Sequence, residues 1–374
     1  MKRLAQIVAL VVVALLTSCS NKGTLHSTEP LYTPHYAKGF AIERDTKDGA
    51  KYLVVYNPWQ GAEGATFRIE IDSLNPPKRI VAMSSSHAAM LDAIGCTNRI
   101  VGLSGCRYIY SPTIRQAIET GQICEVGYDS AFDFEKICTL NADVVLLYGV
   151  AGEAKRITGK FDELGIPYIY IGEYLEAEPL GKAEWIVAIA SLCGEEQRGR
   201  EFFASVEKRY NLLREQSKRL TPRPRVMVNL PYRDTWFMPP HNSYMVRLIE
   251  DAGGEYILKA RDEERETSVA KNSNKSTVIS LEEALELALQ CDYWINLGQF
   301  ASKQELCAVA PHFTGVNAVR FDRLYNNTKR TNESRGSDFW ESGAIRPDLI
   351  LADLVEILHY NSPSDSLYYY KKLE

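Results

Sequence analysis

Short apolar runs alternate with helical patterns along most of the chain, beginning near residue 51. Two β-rich segments come first, YLVVY at 52–56 and TFRIEI at 66–71. A short strand then leads into HAAMLDAIG, where apolar residues recur at helical spacing and a glycine marks the end. Strands are predicted in RIVAM, RIVGLSG, VVLLYG and PYIYIG, and helices in FDFEKICTLNA and AKRITGKFDELG. This alternation predicts βαβ units and an α/β fold with mostly parallel sheets.

Helical periodicity then continues over almost forty positions, with a dip around Cys193 and Gly194 that is a candidate kink or break. A second βα run follows. Its predicted elements are RVMVNL, NSYMVRLIEDAGG, SLEEALELALQ, YWINLG and a last helix from Pro347 to His359. We therefore expect two lobes joined by one long helix. The predicted bounds are 51–180 for the first lobe, 181–220 for the connecting helix and 221–374 for the second lobe.

The two halves of the chain carry similar local patterns. Glu135 begins a helix and Asp143 precedes a strand in the first half, and Glu282 and Asp292 take the same places in the second. The second helix is longer by two residues. Because the pattern recurs at corresponding positions of two similar halves, an internal duplication explains it better than chance.

The N-terminus predicts export. Lys2 and Arg3 precede an apolar run at 7–16, which is shorter than the ~20 residues that span a bilayer. Residues 1–18 therefore read as a signal peptide. The sequence LTSC resembles a bacterial lipobox, which implies cleavage before Cys19 and acylation of its thiol. An ordinary signal peptide with a chance cysteine is the alternative. Residues 19–50 are predicted to be the lipidated cysteine and a flexible leash.

Composition is typical of a globular protein, and the charge argues against a nucleic-acid partner. The 374 residues are 45% hydrophobic and 24% charged, as in soluble globular proteins. The formal charge of −5 becomes −7 once cleavage removes the two cations of the signal peptide. Nucleic-acid binders carry the opposite balance.

Seven cysteines follow Cys19, and no two of them form a CxxC motif, which argues against zinc ribbons. Cys106 and Cys124 follow turn-like segments and are candidates for a disulfide bond in an oxidising compartment. The patterns around Cys138, Cys193 and Cys291 favour buried free thiols.

Residues 77–105, PKRIVAMSSSHAAMLDAIGCTNRIVGLSG, resemble the opening motif of the class III periplasmic substrate-binding proteins. These proteins serve ABC importers for ferric siderophores, haem and cobalamin. FDFEKICTLNADVVLLYG, the long helix and SLEEALELA extend the resemblance over about 51–360. It implies two Rossmann-like lobes, a rigid helix between them and a ligand held in an interlobe cleft. It also implies a lipid-anchored, monomeric protein that has no resident cofactor, catalyses no reaction and docks on an ABC permease.

Parallel sheets bind ligands beyond the carboxyl ends of their strands, where helix N-termini also offer free N–H groups. Ser84 and Ser85 can cap the first helix or donate to a ligand, and both roles stay open. We expect Ser86 and His87 to face the cleft. Aromatic rings suit ring-rich ligands and arginines suit anionic chelates. Further candidates of these types near strand ends or in loops are Trp59, Arg107, Tyr108, Tyr128, Tyr148, Tyr232, Arg233, Trp236, His241, Phe300, Arg335 and Trp340.

Two glutamates carry a separate hypothesis. In the family, one glutamate on the top of each lobe pairs with arginines of the permease. Glu135 and Glu282 match those positions in this sequence. An acid in the first turn of a helix is also favoured by the helix dipole, which is the structural alternative for each residue.

Other functions remain as alternatives. A zinc or manganese receptor would need about three histidines and a carboxylate, and His87, His241 and His312 are candidates. A chelatase-like enzyme is less favoured, because GxSxG, HExxH and GxxxxGK[ST] motifs are absent from the sequence. The strands at 51–72 and the charged loop at 259–277 depart from the common family pattern, so the sequence does not name the ligand. A continuous connecting helix predicts small movement between the lobes.

Overall fold

A computed structural model describes residues 27–128, 131–149, 154–231, 235–258, 277–298, 300 and 302–374. The first four strands form an antiparallel sheet in chain order. They are β1 (Thr28–Tyr32), β2 (Phe40–Asp45), β3 (Lys51–Tyr56) and β4 (Thr66–Glu70). β3 and β4 confirm the predicted β-rich segments. β1 and β2 correct the leash predicted for 19–50, because Phe40 and Ile42 are buried in the core and order this stretch.

The first lobe holds a five-stranded parallel sheet, as the alternating pattern predicted. Its strands are β5 (Ile80–Ala82), β6 (Ile100–Leu103), β7 (Cys124–Glu125), β10 (Val144–Leu147) and β11 (Tyr168–Tyr170), and β8 (Gly127–Tyr128) and β9 (Ala131–Phe132) form a small hairpin. The order in the sheet is β11-β10-β5-β6-β7. The helices of this lobe are α1 (Ser85–Ala93), α2 (Pro112–Glu119), α3 (Phe134–Thr139) and α4 (Ala154–Leu164).

The connecting segment is a pair of packed helices and not the single helix predicted for 181–220. They are α5 (Pro179–Leu192) and α6 (Glu196–Ser217). Gly194, at φ +73°, turns the chain between them, and Gly199 allows close packing because a Cβ there would lie 2.4 Å from Ala190 Cβ. The dip in helical periodicity at Cys193 and Gly194 was the sequence signal for this turn. In the described part of the chain, no helix is long and apolar enough to cross a membrane.

The second lobe repeats the architecture of the first. Its sheet order is β14-β12-β16-β17-β18, parallel except for β18. The strands of this lobe are β12 (Arg225–Val228), β13 (Thr235–Met238), β14 (Glu255–Tyr256), β15 (Thr277–Ser280), β16 (Tyr293–Ile295), β17 (Leu324–Asn326) and β18 (Lys371–Lys372). The helices are α7 (Tyr244–Asp251), α8 (Leu281–Ala288), α9 (Lys303–Val309), α10 (Asn317–Arg320) and α11 (Pro347–Tyr360). Helix α6 packs against α11.

The internal repeat extends to single hydrogen bonds. The order β11-β10-β5-β6 in the first lobe matches β17-β16-β12-β14 in the second. Asp143 accepts hydrogen bonds from the N–H groups of Lys78 and Arg79, just before β5. Asp292 accepts one from the N–H of Arg225 at the start of β12. The two aspartates therefore hold equivalent strands in the same way, which supports the predicted duplication.

Candidate functional site

Residues 84–87 follow β5 and begin helix α1. Ser86 and His87 were expected to face the cleft, but both point into the core. Ser84 caps α1 and stays partly exposed, as does Ser85. Ser86 donates a hydrogen bond of 2.5 Å to Glu173, and His87 Nε2 lies 3.5 Å from the same carboxylate. Ser86 and His87 are buried, so in this structure they support the end of the strand and do not line an open cleft.

Glu173 was not predicted, although it follows the end of β11 as Ser84 follows the end of β5. Burial acts to raise the pKa of Glu173, but the neighbouring His87 and the other polar groups around it together outweigh burial and hold the pKa below its ordinary value. Lys182 and Ser86 act in the same direction. The result is a buried anionic group beneath the edge of the first sheet.

Lys182 lies near the Glu173 carboxylate and also contacts the second lobe. Its Nζ lies 5.1 Å from the ring centroid of Tyr244, at the start of α7. Burial lowers the pKa of Lys182, while Glu173 acts to raise it. One turn earlier, Glu178 pairs with Arg247 at 3.1 Å. A lone lysine at the start of an apolar helix was the sequence signal for this interlobe contact.

Three predicted residues come together beyond β6. The guanidinium carbon of Arg107 lies 4.5 Å from the ring centroid of Tyr108. The rings of Tyr108 and Tyr128 are 5.1 Å apart, and Tyr128 is 55% exposed. The cluster presents one cation and two aromatic rings at a strand end, which is the chemistry predicted for the ligand.

A second aromatic group lies beyond β10. Tyr148 contacts Tyr174, with ring centroids 6.4 Å apart, and the Tyr174 hydroxyl donates to the carbonyl of Gly149. A Cβ at Gly149 would lie 2.7 Å from Trp59 Cβ, so the first sheet of the chain closes against this strand end. Trp59 therefore lies against Gly149, the residue after Tyr148, and Tyr174 was not among the predicted residues.

The second-lobe candidates are less well placed. Trp236 is fully buried: its Nε1 donates to Val228 O at 3.1 Å, and its ring packs on Trp294 and Phe313. It is a core residue and not a ligand contact, because the alternation of β13 turns it inward and turns Phe237 outward. Tyr232 and Arg233 lie outside the described residues.

His241 and Phe300 are partly buried. The ring of His241 lies 6.1 Å from that of Tyr256, and the carbonyl of Phe300 accepts a hydrogen bond from Asn326. Their predicted contact with a ligand therefore rests on the sequence pattern alone.

The loop that carries Arg335 and Trp340 crosses to the first lobe. The side-chain amide of Asn332 donates to the carbonyls of Arg107 and Ile109, both at 2.9 Å. Arg335 is exposed and Trp340 is 57% exposed. We refer to residues 330–341 as the crossing loop. Through Asn332 and Gly336, this loop contacts the main chain at Arg107, Tyr108 and Ile109.

Glu341, at the end of the crossing loop, also binds the first lobe, and we refer to this contact between the loop and the first lobe as the seam. Its buried carboxylate accepts hydrogen bonds of 2.8 Å from the N–H groups of Tyr110 and Ser111. Burial raises the pKa of Glu341 to about 7, with Asp338 and Asp92 adding to the effect. A cavity of about 220 Å³ lies here, below the about 300–1,000 Å³ typical of small-molecule sites. These contacts join the crossing loop to the first lobe.

The two predicted docking glutamates occupy equivalent positions. Glu135 lies in the first turn of α3, capped by Asp133, and Glu282 lies in the first turn of α8, capped by Ser280. Both side chains are exposed. The geometry is compatible with docking and with a favourable helix dipole.

The proposed Cys106–Cys124 disulfide is absent. The Sγ of Cys106 donates to Leu103 O at 3.5 Å, and burial beside Glu125 raises the pKa of Cys106 to about 12. Both thiols are free. Cys19 lies outside the described residues.

Comparison with known proteins identifies the family to which the chain belongs. The profile of the periplasmic binding protein family matches residues 80–331, and the chain belongs to that family. The resemblance to class III substrate-binding proteins is thereby confirmed. Among curated proteins, an uncharacterised lipoprotein of Methanocaldococcus jannaschii is 28% identical over 294 residues, covering 76% of this chain. The chain spans 66% of that relative, just under two thirds of its length.

Solved structures share the fold at low identity. A periplasmic haem-binding protein from Pseudomonas aeruginosa has a TM-score of 0.57 at 17% identity, covering 80% of this chain and 98% of its own. A siderophore-binding protein from Vibrio cholerae, solved with ferric Desferal, has a TM-score of 0.53 at 15% identity, covering 75% and 99%. These likenesses confirm the two-lobed α/β fold.

Proposed function

We propose that the protein is a lipid-anchored substrate-binding protein. It captures an iron complex, either a siderophore or haem, or cobalamin, and delivers it to an ABC permease. The family assignment supports binding as the activity, with no chemical step. The lipoprotein among its relatives supports anchoring through Cys19 on the periplasmic side of a bacterial membrane.

The observation that carries the proposal is the grouping of rings and one cation at the strand ends of the first lobe. Arg107, Tyr108 and Tyr128 form one group, and Tyr148 with Tyr174 forms another, with Trp59 against the adjoining Gly149. Such groups favour a large, ring-rich ligand that carries negative charge, because the rings contribute apolar area and the guanidinium pairs with anionic oxygens.

A receptor for bare zinc or manganese is less well supported. Across the described residues, no three His, Cys, Asp or Glu side chains converge in a way that would hold a metal ion. His87, one of the three candidate ligands, is buried against Glu173. The same binding experiment separates the two functions, since free metal ions can be titrated beside their complexes.

Tryptophan fluorescence is a suitable readout. Trp185, Trp236 and Trp294 are buried in the core, while Trp59 and Trp340 are accessible near the proposed cleft. We expect saturable quenching below about a micromolar by one member of a panel of haemin, cobalamin, ferric siderophores and free metal ions. Trp59→Phe should reduce the amplitude of quenching without abolishing binding.

A matched pair of variants tests the site itself. Tyr128→Ala removes an exposed ring of the Arg107 cluster, and Tyr360→Ala removes a ring that is 62% exposed at the end of α11. We expect Tyr128→Ala to weaken binding about tenfold, the effect of ~1.4 kcal/mol, and Tyr360→Ala to leave it unchanged. Equal ligand affinity of the two variants would exclude the Arg107 cluster from the site. A folded protein that binds no member of the panel would contradict the proposed ligand class.

A further inference from the structure

Two buried thiols meet where helices α1 and α5 end. Cys96 and Cys193 are each 1% exposed, and their side chains lie close enough for each thiol to be the largest influence on the pKa of the other. Gly95 precedes the first cysteine at φ +76°, and Gly194 follows the second at φ +73°. Both helices therefore terminate at this point, and the chain just beyond each end carries one of the two cysteines.

Arginines hold the two backbones in place. The N–H of Arg99 donates to Cys96 O at 2.9 Å, and its guanidinium donates to Cys193 O at 2.7 Å. Arg198, from the first turn of α6, donates to Ile94 O at 2.7 Å. Because these bonds fix the main chain on both sides, the distance between the thiols is set by the fold and not by mobile side chains.

We propose that Cys96 and Cys193 form a disulfide bond in the exported protein. The inference rests on the export that is part of the proposed function, since disulfides persist in oxidising compartments. With the two main chains held together by Arg99 and Arg198, side-chain shifts can bring the neighbouring thiols to the S–S distance of about 2.05 Å. Other cysteines are placed differently: Cys106 donates to a carbonyl, and Cys291 is buried in the second lobe.

The oxidant is the disulfide of a thiol–disulfide oxidoreductase or of a small molecule such as oxidised glutathione. The thiolate of Cys96 attacks one sulfur of that disulfide and releases the other as a thiol. The thiolate of Cys193 then attacks the Cys96 sulfur and releases the second donor thiol. Two protons leave the cysteines and two electrons reduce the donor. Because both thiols are buried in the folded chain, the exchange takes place before α1 and α5 have packed.

The bond would link positions 97 residues apart in the sequence. It would fasten the turn that begins α6, the helix that runs to the second lobe, to the end of α1 in the first lobe. Any movement between the lobes would then have to occur beyond the start of α6.

Peptide mapping tests the proposal directly. The full chain is exported with its own N-terminal segment, its thiols are trapped with an alkylating agent under denaturing conditions, and trypsin is added. Cleavage after lysine and arginine leaves Cys96 in the peptide 80–99 and Cys193 in the peptide 183–198, each with no other cysteine. We expect the two peptides as one linked species that separates on reduction. Both peptides recovered singly and alkylated would overturn the bond in the cell.

A second arm separates the disulfide from export. The purified chain is refolded with oxidised and reduced glutathione. A linked pair after refolding, with a reduced pair in cells, would support the pairing and contradict the proposed export. A reduced pair in both would reject the disulfide.

Thermal unfolding adds a readout of the bond itself. We expect reductant to lower the Tm of the wild-type chain by roughly 5–10 °C. Cys193→Ala should abolish this response, while Cys291→Ala, which truncates an equally buried thiol, should retain it. A response to reductant that survives in Cys193→Ala would count against the assignment.

Discussion

Tyr32 in the first strand donates a hydrogen bond of 2.6 Å to Glu184 on α5, 152 positions away. The same buried carboxylate accepts hydrogen bonds from the N–H groups of His35, Tyr36 and Ala37. One side chain thus anchors the antiparallel sheet to the first lobe. The sheet is part of the folded domain and not a tether in front of it.

Removing this acceptor should destabilise the protein strongly. Glu184→Ala leaves buried N–H groups without a partner, and we expect a loss of about 3 kcal/mol or more in the free energy of unfolding. Tyr32→Phe removes one bond and should cost about 1 kcal/mol. Urea denaturation measures both, with Glu63→Ala, an exposed acid in the next loop, as control. Equal midpoints for Glu184→Ala and Glu63→Ala would show that the sheet is not anchored here.

The carboxyl of Glu341 predicts a pH dependence of stability. Its pKa is raised to about 7, mainly by burial, so the folded state favours the protonated form. In the unfolded chain the group ionises near its ordinary pKa of about 4.3. Its stabilising contribution is therefore complete below that value and is lost as the pH rises through about 7.

Between pH 5 and pH 8, we expect this one group to lower the free energy of unfolding by roughly 2–3 kcal/mol. Glu341→Gln, which does not ionise, should flatten the profile in that window, whereas Glu333→Gln, at an exposed acid of the same loop, should not. Urea unfolding at several pH values measures the slope. Parallel profiles for the wild type and Glu341→Gln would contradict the assigned pKa.

The local pattern was enough to predict the βα architecture but not all of its boundaries. Apolar strands between amphipathic helices identify parallel sheets because those strands are buried on both faces. The turn at Gly194 was identified only as a candidate kink or break, because helical periodicity is present on both sides of it. The strand at 40–45 was not predicted, because its burial depends on helix α5, which is far away in the sequence.

The candidate site residues were chosen by their position and not by the orientation of their side chains. Arg107, Tyr108 and Tyr128 follow strand ends and meet as expected, since sheet topology alone brings such residues together. His87 lies in an equally suitable place, yet it turns towards Glu173, which is 86 positions away. Trp236 turns into the core because its direction depends on strand register. Pairings of this kind are set by tertiary structure and leave no local pattern.

The contact between the crossing loop and the first lobe depends on one glycine. A Cβ at Gly336 would lie 1.7 Å from the carbonyl oxygen of Tyr108, so Gly336→Ala has to push the two lobes apart at the seam. We expect a loss of about 2 kcal/mol or more in the free energy of unfolding. Gly315→Ala, where a Cβ meets open space, should change it by less than about 0.5 kcal/mol.

If the seam also sets the cleft, Gly336→Ala should weaken ligand binding while Gly315→Ala does not. Denaturation and fluorescence titration of the same samples separate the two effects. A Gly336→Ala variant as stable as Gly315→Ala would mean that the loop does not press on Tyr108 in solution.

The two exposed glutamates at equivalent helix starts give the sharpest test of transport. The charge of Glu135 and of Glu282 should pair with cations of the permease, so Glu135→Arg with Glu282→Arg should block uptake by at least tenfold. Ligand affinity should stay unchanged, because both residues lie outside the strand-end clusters. Glu201→Arg with Asp365→Arg makes the same change of charge at exposed positions elsewhere and should leave uptake intact. Uptake of labelled ligand by cells and titration of the purified variants measure the two properties. Normal uptake by the first pair would leave the helix dipole as the reason for these acids, and a parallel loss of affinity would place them at the ligand site instead.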